Sequence, residues 1–230
     1  MKSKSTPGLP QPSVSPFSNQ YNTLHNLPKF EIKPISYSPI GSQLDVIRSE
    51  SDTFVHTEKN GNPSVVLFNP VIERGVVRIE IKNIKLLLAV GIADESVCYG
   101  RNEFPERAGK SKIVQFWNEG WIGHMGDDRI EGNDKFLEPK SAVALELNMD
   151  FNPRTLTFFV NDKKQKNFIA YIPPAVRFWA FLWGKGASFK IKGFETHSYT
   201  MVTHREGQSI VWEYGKEWKR EEKKKNCEIQ

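Results

Sequence analysis

Eight residues constrain this chain more than any other stretch: GVVRIEIK, positions 75–82. Val77, Ile79 and Ile81 are apolar, whereas Arg78, Glu80 and Lys82 are charged. Strict alternation places one set on each face of an extended strand, so the run predicts a half-buried antiparallel strand. The pattern returns in AVALELNM (142–149), where Val143, Leu145, Leu147 and Met149 oppose Ala144, Glu146 and Asn148. It returns again in SFKIKGF (188–194), with Phe189 and Ile191 against Lys190 and Lys192. Two other runs, LLLAVGIA (86–93) and VRFWAFLW (176–183), are apolar on both faces and predict central strands covered on each side. No segment between 42 and 195 carries a helical period of ten or more residues. Turn residues separate the runs: Asn152-Pro153, Asn161-Asp162 and Gly184-Lys185-Gly186. The expected architecture is all-β, a two-layer antiparallel β-sandwich over residues 42–195.

The ends differ in texture. Residues 1–41 hold Pro7, Pro10, Pro12, Pro16, Pro28, Pro34 and Pro39 among Ser, Asn and Thr, a mixture expected to be disordered. Residues 196–230 begin with SYTMVTHREGQS and continue as WEYGKEWKREEKKK. The second stretch reads either as a short amphipathic helix exposing Trp212, Tyr214 and Trp218 or as aromatics packed back onto the domain. Net charge is +5, yet residues 1–28 and 216–225 account for all of it. The middle is close to neutral, so no nucleic-acid groove is expected there. Two cysteines, Cys98 and Cys227, are too few for a disulfide framework, and no secretory signal or apolar span of about 18 residues is evident. A reduced, cytoplasmic location is expected.

Residues for chemistry are sparse. His56, His124, His197 and His204 are scattered without zinc-ligand spacing. The acidic stretch GDDRIEGND (126–134) departs from an EF-type calcium loop, because Arg129 falls where an oxygen ligand is needed. Glu80 and Asp150 form the one conceivable carboxylate pair for glycosidic cleavage, yet their positions suit a cross-strand charge partner and a turn acceptor better. No enzyme activity, metal or cofactor is expected.

The segment LELNMDFNPRTLTFFVNDKKQKNF, followed by IPPAVRFWAFLWGKGASFKIKGFE, resembles the SPRY domain. The likeness rests on Leu147-Asn148-Met149-Asp150, Leu156-Thr157-Phe158-Phe159 and the approach Pro173-Pro174. Upstream it rests on Gly75 before Arg78-Ile79-Glu80-Ile81, and on Leu88-Ala89-Val90-Gly91-Ile92-Ala93. It covers residues 45–195 and lacks a PRY segment. The resemblance implies a concanavalin-like jelly roll of SPRY type that binds a protein or short peptide through end loops, as an adaptor or scaffold. Trp183 and Gly184 match a peptide-contacting tryptophan-glycine pair in relatives. The loops 56–63, with Glu58, Lys59 and Asn60, and 93–110, with Tyr99, Arg101 and Asn102, have the mixed polar and aromatic content of a recognition rim. Alternative readings are a carbohydrate-binding, lectin-like sandwich, a lectin-shaped hydrolase, and the substrate-recognition subunit of a ubiquitin ligase.

The final residues Cys227-Glu228-Ile229-Gln230 have the form of a farnesylation box. Lys223, Lys224 and Lys225 precede it and would add attraction to an anionic membrane. The sequence therefore also predicts peripheral attachment to the cytoplasmic face of a membrane.

Overall fold

A computed structural model describes residues 30–41, 46–49, 52–57 and 61–220. The described residues are all-β apart from two short 3-10 turns, Pro105–Ala108 and Lys110–Lys112, and they form two stacked sheets. One sheet, A, has nine strands. Its order is β15 (Ile210–Glu213), β12 (Lys163–Ala170), β11 (Thr155–Val160), β10 (Ala142–Asn148), β6 (Val76–Lys85), β14 (Ser188–His197), β4 (Thr53–His56) and β3 (Val46–Arg48); β1 (Ile32–Pro34) also pairs with β14. The other sheet, B, runs β2 (Ser38–Gly41), β5 (Pro63–Ile72), β13 (Val176–Trp183), β7 (Leu87–Asp94), β8 (Ile113–Trp117) and β9 (Ile122–Gly123). All pairings between these strands are antiparallel except β12 with β15, which is parallel. The strands extend past 42–195 on both sides, since β1 and β2 precede that span and β15 follows it.

The alternating runs bury the faces expected of them. Val77, Ile79 and Ile81 on β6 meet Leu147, Leu145 and Val143 of β10 across the ladder, and all six are buried. A phenylalanine cluster fills the space between the sheets: Phe54 stacks on Phe189 at 4.9 Å, with Phe68 edge-on to both. A second group, Phe116, Phe136 and Phe158, closes the other half. The turns carry the geometry their residues favour. Asn161 and Asp162 adopt φ of 48° and 63° between β11 and β12, and Gly184 adopts φ of 111° between β13 and β14.

The two-sided apolar runs are covered on both faces. Val90, Ile92, Phe178 and Ala180 face the inter-sheet core, whereas Ala89, Ala93, Trp179 and Phe181 belong to a second cluster with Val65, Leu67, Val97, Tyr99 and Ile113. That cluster lies on the outer face of sheet B under the connection from β7 to β8. Gly91 lets Trp179 sit there, because a Cβ at this position would stand 1.9 Å from the Val114 carbonyl and 2.6 Å from the Trp179 ring.

Of the two readings of the stretch after residue 196, the structure takes the second. No helix forms at 212–220; Ile210–Glu213 is a strand, and Trp218 is buried beside Trp212, so the aromatics pack back onto the domain. Trp212 donates its indole N–H to Asn167 Oδ1 at 2.9 Å and Trp218 donates to the Glu213 carbonyl at 2.8 Å, so docking satisfies both rings. Glu146 and Ala144, expected on a solvated face, are buried. Residues 199–204 cross above them, and Thr200 Oγ1 donates to Glu146 Oε1 at 2.7 Å.

Candidate partner-binding surface

Trp183 ends β13 opposite Pro63 of β5 and is 48% exposed. Phe104, from the connection after β7, meets it edge to face at 5.2 Å and is itself 40% exposed. Phe104 also leans on buried Phe181 at 5.7 Å, which fixes the pair to the sheet. Leu86 joins β6 to β7 as a single residue with φ of 54° and is 49% exposed. A Cβ built on Gly184 would lie 3.8 Å from Leu86 Cδ1, so glycine, leucine and tryptophan share one patch. Three large apolar side chains, all about half exposed and clustered at one end of a rigid sandwich, form the kind of surface that marks a docking site.

The expected site residues fall into three groups. Trp183 and Gly184 lie in this patch, and Arg101 and Asn102 are exposed in the turn immediately before Glu103-Phe104. Glu103 braces that turn by accepting from the Gly100 amide at 2.8 Å. Tyr99 is instead a buried anchor, because its hydroxyl donates to the Pro105 carbonyl at 2.8 Å and its ring joins the Trp179 cluster. Burial pushes its phenol well above the ordinary range. Glu58, Lys59, Asn60, Lys223, Lys224, Lys225 and Cys227 lie outside the described residues. Sequence reasoning missed Phe104 and Leu86. Leu86 reads as the first residue of an apolar strand, and its positive φ, uncommon for leucine, has no signature in the sequence.

Other readings meet specific geometry. Trp117 and Trp121 stack on each other at 4.9 Å and the Arg129 guanidinium sits 4.7 Å over Trp121, so this tryptophan pair is not an open platform for a sugar. Glu80 and Asp150 are separated along the ladder. Glu80 opposes Ala144, whereas Asp150 lies beyond Asn148, which opposes Val76. Four strand residues span about 13 Å, too far for paired glycosidase carboxylates. Asp150 Oδ1 accepts from the Gly75 amide at 2.7 Å, the turn role expected of it. Among the described residues no cluster of three or more His, Cys, Asp or Glu side chains could hold a metal ion. The acidic stretch 126–134 is instead neutralised by cations: Lys110 pairs with Asp127, and Arg220 reaches Glu131 at 2.9 Å.

The order and stacking of the two sheets define a SPRY-type β-sandwich. Structural comparison finds the same fold in the SPRY domain of human HERC1 at 14% identity, covering 71% of this chain and 98% of that one with a TM-score of 0.51. It is found again in the TRIM65 PSpry domain at 10% identity, covering 69% and 89% with a TM-score of 0.52. The chain matches no protein-family model and no curated protein sequence at a significant level.

Proposed function

We propose that this chain is a non-catalytic binding module that captures a protein or short peptide on the patch formed by Trp183, Gly184, Phe104 and Leu86. The observation that carries the reading is the pairing of Trp183 with Phe104, where two large rings stay half exposed although a buried position lies one residue away at Leu182. Held edge to face, the rings offer apolar area with little rotamer freedom left to lose on binding. Gly184 leaves bare backbone beside them, suited to an extended peptide. The neighbouring cations Lys85 and Lys185 are exposed and form part of the rim.

Selection of peptides from a random display library with the purified chain tests the reading. Selected peptides should lose at least about tenfold in affinity for Trp183→Ala and for Phe104→Ala, the scale of one interfacial aromatic anchor. Equal binding to wild type and both variants would reject this surface.

A further inference from the structure

After β14 the chain does not leave the sandwich. Residues 198–220 run as an arm across the outer face of sheet A and on to the corner where β8 meets β9. Thr200 bonds Glu146, Lys164 Nζ donates to the Thr203 carbonyl and reaches Ser209 Oγ at 3.4 Å, and β15 then pairs with β12. At the far end Met125 and Glu217 form an isolated bridge, and Arg220 holds Asp128, the Arg129 carbonyl and Glu131.

Two histidines sit at the two ends of this arm, and the surroundings of each disfavour a second proton on the ring. His124, on the body of the sandwich, is buried. Its Nδ1 lies 2.6 Å from the Ile113 carbonyl, which can only accept, so Nδ1 carries the proton. Its Nε2 receives the Gly215 amide of the arm at 2.8 Å, and an amide N–H can only donate, so Nε2 is bare. Tyr214 and Trp218 enclose the ring at 4.3 and 5.2 Å. A proton added to Nε2 would set donor against donor at Gly215. His204, on the arm, stacks on Phe168 at 3.6 Å, with Nε2 3.0 Å from Thr157 Oγ1 and a buried Nδ1 that has no partner. A second proton on that ring would be a buried charge with no acceptor.

The surroundings do not rescue either imidazolium. Facing His124, Glu106 and Lys110 from the turns before β8 and Asp127, Asp128 and Arg129 from the following loop line one cavity of about 230 Å³. Lys110 pairs with Asp127, Arg129 rests on Trp121, and the Arg220 backbone amide donates to Asp128 while its guanidinium pairs with Glu131. None of these acids takes a ring nitrogen of His124, because Ile113 and Gly215 occupy both. Glu217 of the arm lies over Gly126. Facing His204 are Lys164 on β12 and Arg205 beside it, both cations; the acid on the same sheet face, Glu146, is engaged by Thr200.

We propose that residues 198–220 are a pH-released latch: protonation of His124 and His204 frees the arm and uncovers Glu146, Thr157 and Phe168, while the sandwich beneath stays folded. Burial holds both imidazoles below their ordinary value, in agreement with that geometry. A released arm returns each ring to ordinary proton affinity. Between the latched and released values each fall of one pH unit then raises the opening constant about tenfold per histidine, and about a hundredfold where both titrate.

Amide hydrogen exchange on the full chain, followed by NMR from pH 8 to pH 4 and corrected for intrinsic exchange, tests the latch. Amides at Trp212, Tyr214 and Gly215 should open with that slope while those of β13 keep their protection. A His124→Gln, His204→Gln chain should lose the slope. The idea is overturned if wild-type arm amides open no more at pH 4 than at pH 8, or if arm and β13 lose protection together. The wild-type titration is decisive by itself should the variant misfold. Ring nitrogen shifts at pH 8 add an independent check, since an Nε2–H tautomer at His124 contradicts the latch.

Discussion

The outer faces of the two sheets are covered in opposite ways. On sheet B the connection between β7 and β8 lays Val97 and Tyr99 over Val65, Leu67, Trp179 and Phe181, an apolar lid on an apolar face. On sheet A residues 198–209 of the C-terminal arm hold on chiefly through polar contacts, Thr200 on Glu146, His204 on Thr157 and Lys164 on the Thr203 carbonyl, with the His204 ring also stacked on Phe168. Apolar cover is non-directional and indifferent to protonation. Polar cover depends on each donor meeting an acceptor, so one proton can dismantle it.

The largest expected effect comes from breaking the apolar cover. Trp179→Ala removes a fully buried indole and should cost about 3–5 kcal/mol in urea unfolding, with the same loss at pH 8 and pH 5. A strongly pH-dependent loss would erase the distinction between the faces. Trp218→Ala removes an equally large ring from the arm, 2% exposed in place. Its cost to global stability should stay below about 3 kcal/mol, because an arm that opens locally caps what its contacts contribute. The accompanying sign is earlier exchange of arm amides without earlier exchange of β13.

The contrast also explains what could be read from the residues alone. An apolar lid leaves a trace in the strand it covers, and LLLAVGIA and VRFWAFLW announce two buried faces. A polar strap leaves none. AVALELNM keeps its alternation intact, so Glu146 reads as solvated although Thr200 and its neighbours bury it. The strand–turn grammar of the sandwich was legible because period-two patterning and turn residues act locally. Tyr99 reads as part of an exposed rim, yet it is buried, since its hydroxyl finds the Pro105 carbonyl only after the connection folds on itself. Trp183 and Gly184 were legible as a motif, whereas Phe104 and Leu86 reach the same patch through tertiary placement that no spacing encodes.

Acid sharpens the comparison next. Burial, reinforced by Lys164, pushes His204 down to about 4 from the ordinary 6.5. The folded state thus prefers the neutral ring, and the unfolded state binds the extra proton once pH falls below the ordinary value. The stabilisation is fully present above about pH 6.5 and is lost as pH falls through about 4. Its size is on the order of 1–3 kcal/mol. Urea midpoints at pH 7.5 and pH 5 should differ for wild type and much less for His204→Gln; equal differences in both would place the acid sensitivity elsewhere.

The smallest effect on stability is expected at the uncovered end of sheet B. Trp183 is half exposed, and its one ring contact of note is the edge-to-face approach of Phe104 at 5.2 Å. Such a pair contributes about 0.5–1.5 kcal/mol, and truncating an exposed side chain otherwise changes little. Trp183→Ala should therefore unfold within about 1 kcal/mol of wild type while losing its selected ligands. The two measurements must diverge for the patch to be a binding surface. A cost near that of Trp179→Ala would mean that Trp183 holds the end of the sandwich together, and its exposure would then reflect incomplete packing of the fold instead of an invitation to a partner.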